Sequence, residues 1–331
     1  MSAAVGYIDA VRRALDDELA ADANVVVIGE DVAVGGPFGA TKGLVERHGA
    51  ERIRNTPICE QTLVGLAVGA ATTGLRPVVE VMFIDFITLA MDPLVNHAAK
   101  LHFMSGGQLR VPMVVRTQQG TIGGAGAQHS QSLESWLTHV PGLRVVTPTG
   151  ASDVYALLRA AIRSDDPVVF LEHKRHYRQR APEDRSAAID IRAGTSIVIA
   201  PGSDLTVVTY GVGVQAALAA RDVLLAEGIS LDVIGLRTLS PLNLGPVLAS
   251  VQRTGLAAVM HEAVGVSGFG AELVARIQQE AWAYLRAPVG RLAGAFCPIP
   301  AAEEVEAELV PGPSDLVKIA RHLVNEGSAH A

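Results

Sequence analysis

Short, strongly apolar runs recur along this chain, each followed by a stretch with helical spacing or a glycine turn, and that alternation is what most limits its fold. Residues 25–29, 78–83, 112–117, 143–147 and 168–171 read as strands. Between them, 61–73 reads as a helix closed by Gly74, and 87–103 has helical spacing. The segment 153–163 places Val154, Leu157, Leu158 and Ile162 on one helix face. Strands apolar along their whole length are buried on both faces, as in parallel sheets covered by helices.

A second set of the same kind follows. Residues 205–210, 231–236 and 257–260 read as strands, 214–226 as a helix ending at Gly228, and a last helix starts near Ser314. The polar stretch 172–194 lacks periodicity, contains Pro182, Glu183 and Asp184, and reads as an interdomain linker. The expectation is an α/β protein of two domains, each a mostly parallel sheet flanked by helices, over 1–180 and 196–331 with 181–195 between them. A length of 331 residues suits two domains. The apolar fraction of 49% with only 4% aromatics is mostly Ala, Val, Leu and Ile, which packs such sheets closely.

Charge and cysteine content exclude several classes. A net charge of −7 repels phosphate backbones, so no nucleic-acid partner is expected. The basic run from His173 to Arg180 reads as a solvated loop, or as a patch for an acidic partner surface. Two cysteines, Cys59 and Cys297, cannot build a disulfide framework and suit a reducing compartment. The most apolar stretch, 64–75, is too short to span a bilayer, and no signal-peptide pattern is evident. The expectation is a soluble cytoplasmic protein with no membrane partner.

Phosphate-loop, C-x-x-C and G-x-S-x-G patterns are absent. Gly211-Val212-Gly213 is an incomplete dinucleotide fingerprint and reads as a strand-to-helix turn. Three segments carry more chemistry. In Asn55-Thr56-Pro57-Ile58-Cys59-Glu60-Gln61, a proline turn delivers Glu60 to a helix start, where an acid also complements the helix dipole. Gly65, Gly69 and Ala70 leave that helix a smooth face suited to close approach by another helix, across a subunit contact. In the segment from Gly123 to Gln131, a glycine-rich loop delivers His129, an acid/base candidate among small residues. Phe83-Ile84-Asp85-Phe86 ends a strand with two aromatics, which suit core packing or a platform for a planar ring.

Taken in order, these segments resemble the beta subunits of 2-oxoacid dehydrogenase decarboxylases, the transketolase-like family of pyruvate, branched-chain and acetoin enzymes. The resemblance rests on Gly29-Glu30-Asp31-Val32, Thr41-Lys42-Gly43-Leu44, Thr56-Pro57-Ile58-Cys59-Glu60 and Gly74-Leu75-Arg76-Pro77-Val78-Val79-Glu80. It continues through Asn96-His97-Ala98-Ala99-Lys100, Met104-Ser105-Gly106-Gly107, Gln128-His129-Ser130-Gln131, Pro141-Gly142-Leu143-Arg144 and Asp166-Pro167-Val168-Val169-Phe170-Leu171-Glu172-His173. Leu236-Arg237-Thr238 and Ala287-Pro288-Val289 extend it into the second half.

The resemblance implies a pyrimidine-binding domain followed by a transketolase C-terminal-like domain, and a thiamine diphosphate site shared with an alpha subunit. Glu60 matches the glutamate that hydrogen-bonds the cofactor's pyrimidine and favours its imino tautomer. Phe86 matches an aromatic lying against that ring, with Ile58 beside it. His129 matches a histidine that aids acyl transfer to a lipoyl group, and Asp92 is a weaker candidate for an acidic proton path. The chain lacks the Gly-Asp-Gly and Asn ligands of this class, so Mg²⁺ and the diphosphate fall to the alpha subunit. A two-alpha, two-beta tetramer with a beta–beta contact, docked on a lipoyl acyltransferase core, is implied. Some relatives bind potassium through carbonyls matching Met113, Ala161, Ile162, Ser164 and Asp166, although Ser164 stands where the family often has Asp. Competing expectations are an acetoin dehydrogenase beta subunit, a non-catalytic docking subunit, a thiol enzyme using Cys59 and His129, and a complete transketolase-like enzyme. Which small 2-oxoacid is used stays open at this level.

Overall fold

The computed structural model describes residues 4–182 and 188–329. In chain order the elements are β1 (Ala4–Gly6), α1 (Tyr7–Ala21), β2 (Val25–Gly29), α2 (Leu44–His48), β3 (Ile53–Asn55), α3 (Glu60–Thr72), β4 (Arg76–Val81), α4 (Leu101–Met104), β5 (Val114–Gln119), α5 (Glu134–Thr138), β6 (Arg144–Val146), α6 (Val154–Ile162), β7 (Val168–His173) and β8 (Arg180–Pro182). They continue with β9 (Ser196–Ala200), β10 (Leu205–Tyr210), α7 (Gly213–Leu225), β11 (Leu231–Leu236), β12 (Thr238–Ser240), α8 (Gly245–Thr254), β13 (Ala257–Val264), α9 (Phe269–Ala281), β14 (Gly290–Gly294), α10 (Glu303–Leu309) and α11 (Pro313–Ala329).

These elements form two compact units. The first takes the described parts of 1–119, 136–193 and 238–241; the second takes those of 120–135, 194–237 and 242–331. In the first, a seven-stranded sheet runs β12-β6-β7-β5-β4-β2-β3, parallel except for the β12 edge. In the second, a five-stranded sheet runs β14-β13-β10-β11-β9, parallel except for the β9 edge. Each unit holds a mostly parallel sheet flanked by helices, as read from the sequence, and β1 and β8 add a separate two-stranded antiparallel sheet.

The core of the first unit forms where α1 meets α6. Ala10, Val11, Ala14, Leu15 and Leu19 recur at three- and four-residue spacing and pack with Val154, Leu157, Leu158 and Ala161. This first helix is absent from the elements expected above, although its apolar spacing is legible in the sequence. Glu18 is buried on the same face, where Arg159 Nε and Arg163 Nε donate to its carboxylate at 2.6 and 2.9 Å. In the second unit β10, β11 and β13 are covered by α7 and α11 through Ala217, Leu224, Leu316 and Ala320.

Two sequence expectations need correction. The 87–103 stretch is not one helix: a 3-10 turn over Ile84–Ala90 passes into a π turn over Pro93–Ala98 and then α4. Pro93 has no N–H to donate and its ring crowds the preceding turn, so a regular ladder cannot run through it. Ile87, Ala90, Leu94 and Ala98 are still buried, which is why the stripe read as a helix. The polar stretch after Leu171 is also more ordered than a linker. Glu172 and His173 end β7, residues 174–178 form a 3-10 turn, and β8 pairs with β1. His173, Lys174 and His176 are buried, so that part of the basic run is not a solvated loop. Glu183 and Asp184 lie outside the described residues. Among the described residues no helix is long and apolar enough to cross a membrane.

Candidate active site

In open parallel sheets, functional groups gather beyond the carboxyl ends of the strands. Three sequence candidates do so in the first unit. β3 ends at Asn55, whose side chain accepts from the Ala33 amide at 2.8 Å and ties two strand-end loops together. The next residues, Thr56 to Cys59, turn the chain into α3, and Glu60 is its first residue. Ile58 projects from that turn with 70% of its surface exposed, unusual for an isoleucine beside a half-buried acid. Phe86 follows β4 in the 3-10 turn and meets Phe83 edge to face, with ring centroids 6.1 Å apart. Phe83 also packs against Phe38, and Lys174 Nζ sits 5.2 Å from its ring centre. Phe86 and Phe83 are both half-buried, so the aromatic pair is a rim and not core.

The acids at this rim interact. Glu30 is held above the usual carboxylate range by partial desolvation, then by the charges of Asp31 and Glu60. An acid at a helix start with an exposed isoleucine and a half-buried phenylalanine offers one polar and two apolar contacts. That donor set fits the aminopyrimidine end of thiamine diphosphate, a planar ring with polar nitrogens. Cys59 is exposed, and hydrogen bonding with the Thr62 side chain, then with its backbone, holds its thiol below the usual value.

Beneath this edge lies a charge cluster that the sequence reading left unassigned. Glu80 on β4 and Arg116 on β5 are register partners, and Glu172 lies further along β7 on the same side. Arg116 Nη1 donates to Glu80 Oε2 and Nε to Glu172 Oε1, both at 2.8 Å. The Tyr177 hydroxyl donates to Glu172 Oε2 at 3.0 Å. All three charged groups are buried. Burial pushes the Glu80 carboxyl up, Arg116 opposes this, and the Glu172 charge adds to it. Burial also raises the Tyr177 and Tyr7 hydroxyls. Gly36 closes over the cluster at φ +66°, and a Cβ there would meet Glu80 Oε1 at 3.0 Å, so glycine is required. The signal available in sequence was a charge set inside an apolar strand at each of the three positions.

The five positions matched to potassium lie near the end of α6. Arg76 Nη1 donates to the Ile162 and Ser164 carbonyls at 3.0 Å each. The Met113 carbonyl accepts from Val168 N and that of Ala161 from Ser164 N. The Asp166 carboxylate accepts from Arg144 Nε at 2.8 Å. Asp92, the weaker acid, is exposed at the start of the π turn and accepts from Asn96 at 2.7 Å. Among the described residues no group of three or more His, Cys, Asp or Glu side chains is placed to hold a metal ion.

His129 belongs to the second unit. It is half-buried, and its amide donates to the Gly126 carbonyl at 3.3 Å. The loop carrying it is closed at its base by the Gly120 amide donating to the Gln131 carbonyl at 2.9 Å.

The transketolase pyrimidine-binding domain model matches residues 3–180, and the transketolase C-terminal domain model matches 194–316. A split-gene transketolase described as an inactive beta4 tetramer superposes with a TM-score of 0.78 at 21% identity, covering 98% of this chain and all of that one. A Leishmania mexicana transketolase gives 0.71 at 17% identity, covering 98% of this chain and 46% of that one. At such identities the likeness speaks for the fold, and the two units are those of the transketolase-like class. Nearer relatives narrow it. The mitochondrial pyruvate dehydrogenase E1 component subunit beta-2 of Oryza sativa subsp. japonica is 42% identical, over 95% of this chain and 84% of that protein. The pyruvate dehydrogenase E1 component subunit beta of Rickettsia bellii is 40% identical, over 93% and 95%. The acetoin:2,6-dichlorophenolindophenol oxidoreductase subunit beta of Cupriavidus necator is 38% identical, over 96% and 97%. The chain belongs to the family of pyruvate dehydrogenase E1 component beta subunits.

Proposed function

We propose that the chain is the beta half of a thiamine-diphosphate-dependent 2-oxoacid decarboxylase, with pyruvate the first substrate to test. The observation that carries this reading is half-buried Glu60 at the first residue of α3, two residues after exposed Ile58, with α3 packed on the turn that carries Phe86. When bound, thiamine diphosphate supplies the carbanion and the electron sink for decarboxylation. The chain's own residues have narrower tasks. Glu60 holds a proton at a pyrimidine ring nitrogen, and Phe86 and Ile58 give the ring an apolar seat. His129 moves a proton during acyl transfer to a lipoyl group.

An alpha partner is proposed to bring the Mg²⁺ and diphosphate ligands, in a two-alpha, two-beta tetramer that docks on a lipoyl acyltransferase core. Two features of α3 support a protein partner on the first unit. Gly65 and Gly69 are exposed, and a Cβ on Gly69 would meet nothing within 4 Å, so this chain alone does not require its smallness. Leu66 is exposed on the same helix, and elsewhere on the unit Phe103 and Met104 are exposed at 87% and 62%.

The test is 2-oxoacid-dependent reduction of an artificial electron acceptor with thiamine diphosphate and Mg²⁺, on the chain alone and with its alpha partner. Turnover only in the mixture is expected. Turnover by the chain alone would overturn the half-site reading, and turnover with acetoin in place of every oxoacid would select the acetoin type, to which one relative points. Potassium is proposed at the five α6-region positions, sharing two carbonyls with Arg76. Replacing potassium chloride by choline chloride is then expected to lower the melting temperature by roughly 2–4 °C. Superimposable melts would remove the ion.

A further inference from the structure

The His129 loop is a poor candidate for self-ordering. Gly123, Gly124 and Gly126 all have positive φ, at +94°, +81° and +74°, and glycine carries the largest conformational freedom to be lost. What orders it comes from elsewhere in the second unit. The Thr121 amide donates to Glu262 Oε1, at the end of β13, at 2.6 Å. The Gly123 and Gly124 amides donate to the two oxygens of one carboxylate, Glu306 on α10, at 2.8 and 3.2 Å. At the far end of the loop the Tyr210 hydroxyl donates to Glu134 Oε1 at 2.6 Å.

The Glu306 contact differs from the other two in bringing two amides onto one carboxylate. Glu306 is buried, with 1% of its surface exposed, and it lies 183 residues from Gly123 in sequence. Two successive backbone N–H groups converging on one anion form a nest, and the charge strengthens both bonds. The contact grips the loop between its anchored base and the turn from Gly126 to His129. A Cβ on Gly123 would meet Glu303 Oε1 at 3.0 Å, so α10 also fixes which residue can stand there.

We propose that Glu306 is a positioning residue for His129. Its carboxylate holds the glycine loop in the one conformation that presents the imidazole, and it does so without touching substrate. The functional half of this inference rests on the reading of His129 as the acyl-transfer group; the structural half does not.

The experiment compares Glu306→Gln with wild type by hydrogen exchange on the full chain and by kinetics on the complex with its alpha partner. A glutamine keeps the size but offers one acceptor oxygen and turns an N–H₂ toward the second amide. Exchange over 120–131 is expected to speed up about tenfold or more, with the rest of the second unit unchanged. Transfer to a lipoyl domain is expected to slow by about 10–100-fold in kcat, the cost of a displaced catalytic group, while KM for the 2-oxoacid moves little. Glu306→Asp, which restores the charge, should recover part of both. If Glu306→Gln does not fold, Gly123→Ala disturbs the same contact and should give the same exchange pattern.

Unchanged exchange in both Glu306→Gln and Gly123→Ala would overturn the inference. So would faster exchange with normal lipoyl transfer, where His129→Gln does slow transfer. If His129→Gln itself leaves transfer intact, the acyl-transfer reading fails and the positioning role falls with it, while the exchange data still decide whether Glu306 orders the loop.

Discussion

Glu60→Ala is expected to lower 2-oxoacid turnover by about 10²–10⁴-fold while costing the fold no more than the roughly 0.3–1 kcal/mol of a helix-start acid. The two readings of this residue part on these measurements. As a mere helix-start acid, Glu60 complements the α3 dipole, and its loss would cost roughly 0.3–1 kcal/mol of stability with turnover intact. As the group that holds a proton on the pyrimidine, it is needed in every turnover. Its half-buried position at the first residue of α3 keeps the structural cost small. Urea melts and acceptor-linked turnover of the assembled enzyme, run side by side, decide the matter. Full turnover with a shifted melt would leave Glu60 as a cap and favour a non-catalytic docking subunit.

The largest stability effect is expected at Arg116. Arg116→Leu removes the guanidinium that bridges the buried carboxylates of Glu80 and Glu172 and strips both of that partner. Breaking a buried pair in this way costs about 3–5 kcal/mol. Replacing Arg116, Glu80 and Glu172 together by apolar residues should recover much of that loss, because the carboxylates no longer need a partner. A loss in the single variant no larger than that of an ordinary surface change would show that the cluster is solvated in solution.

The same cluster gives a pH dependence with a definite sign. Burial raises the Glu80 carboxyl above its unfolded value. Its favourable contribution is therefore complete below the unfolded value and is lost as pH rises through the folded one. Glu80→Gln should accordingly gain stability relative to wild type toward neutral and alkaline pH, and lose that advantage in acid. Parallel melting curves at every pH would contradict this.

The outline of the fold was open to sequence reading because burial on both faces leaves a local trace. Apolar runs such as 25–29 and 168–171 announce parallel strands wherever their neighbours lie. The proline turn into Glu60 and the glycine loop of His129 were equally legible, since turn chemistry is written in adjacent residues. The broken helix at 87–103 was misread because the apolar stripe survives the kink, while Pro93 sets the backbone.

Sequence by itself therefore determined the class of fold and the family, and it marked the segments proposed to carry the chemistry. Tertiary structure alone decided which distant residues support them. Glu80, Arg116 and Glu172 lie 36 and 56 residues apart, and Glu306 lies 183 residues from the loop it grips. Alternation along a strand says which face a side chain takes; it does not say which strand lies beside it. Strand order and register follow from the packing of whole layers, so contacts across them leave no local signature to read.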